Sequence, residues 1–128
     1  MSETQKKILI VEDEGPMRRA VRDKFAREGF KVYEAKNGEE GLHVAFAEHP
    51  DIILLDVMMP VMDGLEMLHE VRKDIWGKTV PVVLLTNLSD TDKVASALED
   101  GASGFLVKSD WKIEDVVKKV EEVLGIQR

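Results

Sequence analysis

The sequence predicts a doubly wound α/β sandwich: a five-stranded parallel sheet between two layers of helices. Three observations carry this. Apolar runs such as Lys7–Val11, Ile52–Leu55 and Val80–Leu85 are too continuous for half-exposed strands and read as strands buried on both faces. Segments with a 3.6-residue apolar period separate them. Gly, Pro, Asn and Asp punctuate the junctions, so strand and helix alternate along the chain.

The first strand, Lys7–Val11, ends in Glu12-Asp13-Glu14. Gly15-Pro16 opens the first helix, because proline at the first helical position forfeits no hydrogen bond; Met17, Ala20, Val21 and Phe25 form its apolar stripe, and Gly29 stops it. Lys31–Ala35 is a shorter second strand. Asn37 caps the second helix with Glu40 completing a capping box; Leu42, Ala45 and Phe46 face inward, and Pro50 closes the segment. The third strand delivers Asp56 to its C-terminal end, where Pro60 and Asp63-Gly64 break the chain before a helix from about Gly64 to Ile75 that packs Leu65, Leu68 and Val71. Val80–Thr86 is the fourth strand. Thr91–Asp100 is a short helix burying Val94, Ala97 and Leu98, ended by Gly101. Gly104–Val107 is the fifth strand, with Lys108 directly after it. The last helix, near Asp110 to Leu124, buries Ile113, Val116, Val117, Val120, Val123 and Leu124, with Glu114–Lys118 and Asp115–Lys119 pairing on the wet side. Right-handed crossovers place helices on both faces, and the flavodoxin-like strand order 2-1-3-4-5 suits five strands.

At 128 residues the chain fits a single domain, 1–128, with residues 1–5 expected to be disordered. Its 25 acidic residues against 18 Lys and Arg give a net charge of −7, which argues against binding nucleic acid or an anionic membrane. The absence of Cys excludes disulfides and thiolate chemistry. A polar N-terminus and a first apolar run too short for a leader or span make a cytoplasmic location the expectation.

Glu12 and Asp13, Asp56, Thr86 and Lys108 stand at the C-terminal ends of strands one, three, four and five. The expected order makes these strands neighbours, so the five residues converge on one crevice, where open parallel sheets bind ligands. Two unit charges at 4 Å interact by roughly 4 kcal/mol at an effective dielectric near 20, so clustered carboxylates either protonate or recruit a cation. Lys108 supplies one charge; a few carboxylates plus water suit Mg²⁺.

The acidic pair, the IILLDVMMPxMDG segment, the LLT strand end and the GASGFLVK run resemble the receiver domain of two-component response regulators over nearly the whole chain. The resemblance implies that Asp56 is phosphorylated by a histidine kinase or phosphotransfer protein. It implies Mg²⁺ held by Asp13 directly, by Glu12 through water, by Asp56 and by the Met58 carbonyl. Thr86 and Lys108 would bind phosphoryl oxygens, with Thr86 and Phe105 as switch residues. The chemistry is consistent: Asp56 as nucleophile needs the incoming charge neutralised, which Mg²⁺ and Lys108 provide. A phosphoryl pulling on Thr86 would let Phe105 turn inward and alter the face formed by the fourth helix, fifth strand and last helix, to which an output protein docks. The expected function is phosphorelay signalling by a stand-alone receiver, a monomer or a phosphorylation-dependent dimer, catalysing only its own phosphorylation and dephosphorylation; a piece of a longer regulator is the other possibility.

Two positions depart from the family pattern. Ser109 replaces the usual Pro; because a non-proline cis bond costs about 2.5–4 kcal/mol, Lys108–Ser109 is expected to be trans. Asn87 follows Thr86 where a small residue is usual, and together with Ser109 it motivates the rival reading of a pseudo-receiver that binds partners without being phosphorylated. Met58 and Leu88, apolar two residues after Asp56 and Thr86, are expected to exclude water and slow dephosphorylation. Met58, Met59 and Met62 read equally as a soft docking patch or as loop burial. Trp76 and Trp111 read as packing residues, and His43, His49 and His69 as helix-surface residues without a ligand grouping. Phosphohydrolases with an Asp nucleophile commonly carry a second Asp where Met58 stands, so turnover of that kind is expected to be poor, and a nucleotide or flavin site would not place Glu12-Asp13-Glu14 in its phosphate loop.

Overall fold

The structure, a computed structural model, describes residues 5–110 and 112–126, without the side chains of Leu88, Ser89, Thr91 and Asp110. The expectations for residues 1–4 and Trp111 lie outside it; Gln5 donates a side-chain hydrogen bond to the Gly29 carbonyl at 3.0 Å. Strands β1 (Lys7–Val11), β2 (Lys31–Ala35), β3 (Ile52–Asp56), β4 (Val82–Thr86) and β5 (Gly104–Val107) form one parallel sheet ordered β2-β1-β3-β4-β5. Helices α1 (Gly15–Arg27), α2 (Gly38–Glu48), α3 (Gly64–Lys73), α4 (Val94–Glu99) and α5 (Ile113–Leu124) alternate with them. The expected fold class and strand order are the observed ones.

Alternate strand residues point to opposite faces, so the apolar runs divide between two cores. Leu9, Val11, Ile53, Leu55 and Leu84 pack with Ala45 of α2, Met67 and Leu68 of α3, and Ala97 of α4. Ile8, Ile10, Leu54, Val83 and Leu85 pack with Val21 and Phe25 of α1 and Val116 and Val120 of α5. That division explains the lack of alternation in β1, β3 and β4: helices cover both sides, and every residue of β3 and β4 is buried.

The helices seat through smaller residues than their periodicity suggests. In α2 the buried positions are Gly38, Gly41 and Ala45, and a Cβ on Gly41 would stand 2.7 Å from Met67 Sδ. The stripe is therefore centred away from Phe46, which is 41% exposed with its ring edge on Trp76, while Val44 turns toward the core. Leu98 is likewise 49% exposed, because α4 seats on Val94 and Ala97; Ala20 also lies outside. Each corrects an expected inward position. Trp76 packs as expected, stacked on His49 at 4.6 Å, and all three histidines lie at the surface.

Several boundaries differ from the expected ones. The helix expected from Thr91 begins only at Val94, after a 3-10 stretch Leu88–Lys93, and its N-cap, Lys93, makes no side-chain cap hydrogen bond. The last helix begins at Ile113, after a 3-10 turn Lys108–Asp110. Helix α3 ends at Lys73, leaving Ile75 exposed, and β4 begins at Val82 rather than Val80. Asn37 does cap α2, accepting the Glu40 N–H at 2.8 Å, but Glu40 reaches back to the Lys36 N–H rather than that of Asn37. Asp115 accepts the Lys112 N–H at 2.8 Å and Lys119 pairs with Glu122, in place of an Asp115–Lys119 pair.

Arg72, near the end of α3, has a role that periodicity does not reveal. Its guanidinium donates to four carbonyls, those of Gly77, Val80, Asp100 and Gly101, at 2.7–3.0 Å. These bonds tie α3 to the segment entering β4 and to the turn entering β5. No described helix is long and apolar enough to cross a membrane.

Candidate functional site

Register brings the strand ends together: Val11 lies beside Leu55, Asp56 beside Leu85 and Thr86 beside Val107. Glu12, Asp56 and Thr86, at 1%, 2% and 0% exposure, are the only polar or charged residues buried among those described. Lys108 reaches into the same place, its Nζ 2.9 Å from Glu12 Oε1, 3.1 Å from Asp56 Oδ2 and 3.4 Å from Glu14 Oε1. Asp13 is exposed at the mouth, yet one oxygen from each of Glu12, Asp13 and Asp56 lies within 4.8 Å of the others. Sequence reasoning thus placed Glu12, Asp13, Asp56, Thr86 and Lys108 at one rim, and the fold brings them there; it missed Glu14 as a third acid on Lys108.

The charges do not balance within the protein. Burial, then the nearby charge of Glu12, push the Asp56 carboxyl from its ordinary 3.8 up to about 8, against the opposing pull of Lys108. For Lys108, burial works toward neutrality, but the close approach of Glu12 and the charges of Asp56 and Glu12 outweigh it and hold the ammonium above the ordinary lysine range. Glu12 Oε2 accepts the Glu14 N–H at 3.0 Å, whereas the buried Oε1, despite the nearby ammonium, accepts no well-directed hydrogen bond. A buried oxygen with spare capacity beside two further carboxylates is a donor set that a small hard cation would satisfy.

Local structure fixes each member. Asp56 is the last residue of β3, and the N–H of Met58 points at its Oδ1 at 3.4 Å. Met58 itself is exposed. The loop onward contains a γ-turn in which the Met62 N–H donates to Pro60 O at 2.8 Å across Val61, whose φ is 68°. Asp63 then caps α3, and Gly64 comes so close that a Cβ there would collide with the Asp56 carbonyl oxygen. Arg18 Nη1 holds the Glu12 carbonyl at 2.8 Å. Thr86 Oγ1 donates to the Asn87 carbonyl at 3.1 Å, Phe105 of β5 is 40% exposed, and the Lys108–Ser109 peptide is trans as expected.

Three comparisons with known proteins bear on the family and the fold. Residues 8–121 match the model of the response regulator receiver domain. The "Probable transcriptional regulator ycf27" of Guillardia theta is 40% identical over 106 residues, 83% of this chain and 41% of its own length. The chain therefore spans about half or less of the curated relatives named ycf27 that it matches. Among solved structures, the chemotaxis response regulator CheY4 of Vibrio cholerae superimposes with a TM-score of 0.87 at 33% identity, covering 94% of this chain and 99% of that one.

Proposed function

This chain belongs to the response regulator receiver family, and on that premise we propose that it takes a phosphoryl group on Asp56 from a histidine kinase or phosphotransfer protein and passes the signal to a partner through a changed face. The observation that carries the proposal is the buried cluster itself, Glu12, Asp56 and Lys108 with Asp13 at its mouth. Glu12, Asp13 and Asp56, with the Met58 carbonyl, would hold Mg²⁺, which when bound neutralises charge on the arriving phosphoryl.

Asp56 attacks phosphorus, forming an aspartyl phosphate as the bond to the donor imidazole breaks. Lys108, buried and fully charged, moves its ammonium from Asp56 to the phosphoryl oxygens. Thr86 exchanges its hydrogen bond to the Asn87 carbonyl for one to the phosphoryl group, drawing the end of β4 toward Asp56. Phe105 then turns in from its exposed position, and α4, β5 and α5 present a different surface to an output protein. Met58 shields the aspartyl phosphate from water, so loss of phosphate takes minutes or longer; a half-life of seconds overturns that point. The contribution expected of Leu88 rests on a side chain outside the described ones.

Incubation with acetyl phosphate and Mg²⁺, followed by intact mass, tests the proposal. The chain gains one phosphoryl mass, and Asp56→Asn gains none. An unmodified wild-type chain supports instead the pseudo-receiver reading, in which the face binds partners without phosphate.

A further inference from the structure

A groove of about 540 Å³ lies away from the carboxylate cluster, between α2, α3 and the C-terminal end of α4. Its floor is apolar: Leu42 of α2, Met62 before α3, and Leu65 in the first turn of α3, all half-buried against the core beneath. Its rim is acidic, formed by Glu66, Glu70 and Asp100. The nearby cations are already engaged with that rim. Lys73 Nζ is 2.9 Å from Glu70 Oε2, and His69 Nδ1 is 3.5 Å from Asp100 Oδ2, an ion pair only while the imidazole is protonated. The Glu66 carboxylate has no ion partner among the described residues.

We infer that this groove is a second docking site, and that its occupant is a basic amphipathic helix of a partner protein. Apolar residues spaced i, i+3 and i+4 fit the floor, which has room for roughly two or three aliphatic side chains. Lys or Arg flanking them face Glu66 and Asp100, and the chain's net charge of −7 favours approach of such a segment over an acidic one. Met62, with an unbranched and polarisable side chain, suits a floor that adjusts to its occupant. The same rim repels phosphate and anionic lipid. Docking here does not depend on phosphorylation of Asp56, so failure of acetyl phosphate to label the chain leaves it standing.

The test is a methyl-NMR titration of the full chain with two synthetic helical peptides of one length and one leucine pattern, the first carrying Lys and Arg on its flanks, the second Glu. The basic peptide shifts the methyls of Leu42, Met62 and Leu65 and saturates, and raised salt weakens it. Glu66→Lys, on the exposed side of α3, weakens it by about tenfold, whereas Asp23→Lys on α1 leaves the affinity unchanged. The inference is overturned if both peptides shift those methyls equally, which marks mere apolar adhesion. Shifts centred on α4, β5 and α5, or none at millimolar peptide, overturn it as well.

Discussion

Asp56 is costly to keep charged, and that cost has a sign. In the unfolded chain it titrates near 3.8; in the folded chain it is pushed up to about 8, by burial first and by Glu12 second. Between those values the native state holds a proton the unfolded state has released, so stability falls as pH rises through the window and levels off above it. Asp56→Asn lacks the titration. It should therefore exceed the wild type in stability at pH 8, by on the order of 2 kcal/mol, with the gap closing toward pH 4. Urea unfolding of both proteins at pH 5 and pH 8 checks this; an equal gap at both would remove Asp56 as its source. Binding of Mg²⁺ needs the deprotonated carboxylate, so below pH 8 it should expel a proton and tighten as pH rises. Calorimetry in buffers of different ionisation enthalpy reads that proton directly, and no proton release at pH 6.5 would contradict the assignment.

Between elements, two close fits carry the geometry. Gly64 lets α3 begin against the carbonyl of Asp56, with its own N–H on the Val57 carbonyl at 2.9 Å. Gly64→Ala should displace the end of β3, costing about 1–3 kcal/mol of stability and slowing phosphorylation by about tenfold or more; unchanged acetyl phosphate kinetics would show that the contact does not position Asp56. Arg72 fastens α3 to two loops through carbonyls alone, and burial pulls its guanidinium below the ordinary value. Arg72→Met should cost about 2–4 kcal/mol, and Arg72→Lys should recover little, since an ammonium cannot span the same fork. Chemical denaturation decides it. Neither residue announces its role in the sequence. Gly64 reads there as a turn signal and Arg72 draws no reading at all, because their partners are backbone atoms brought near only by the fold. The same blindness explains Phe46 and Leu98: a periodic pattern records which residues are apolar, not that α2 seats closely at Gly41 or that α4 seats on Val94 and Ala97 and leaves Leu98 outside.

At the scale of the molecule the site was legible because a parallel sheet leaves little freedom. Once apolar runs mark five strands and the flavodoxin-like order places them, the residues at and just past the strand ends share one rim, and Glu12, Asp13, Asp56, Thr86 and Lys108 are among the polar residues there. What the order of residues could not convey was who touches whom: that Lys108 spans three acids, or that the Thr86 hydroxyl rests on the next carbonyl. That resting bond bears on how far a signal can travel. Moving a two-state equilibrium from about 1:99 to 99:1 takes roughly 5.5 kcal/mol, and Thr86 contributes only if it trades its present partner for the phosphoryl group. Phe105, 40% exposed on β5, is the reporter. The chain has four phenylalanines, of which Phe25 and Phe30 are buried in the α1 core, so fluorophenylalanine labelling gives resolvable signals. Beryllofluoride with Mg²⁺, standing in for the phosphoryl group, should move the Phe105 resonance toward a buried environment in the wild type. In Thr86→Ala beryllofluoride should still bind, yet the resonance should stay near its free position. If Phe105 moves fully in Thr86→Ala, the hydroxyl is not the link, and the coupling must run from Lys108 directly along β5.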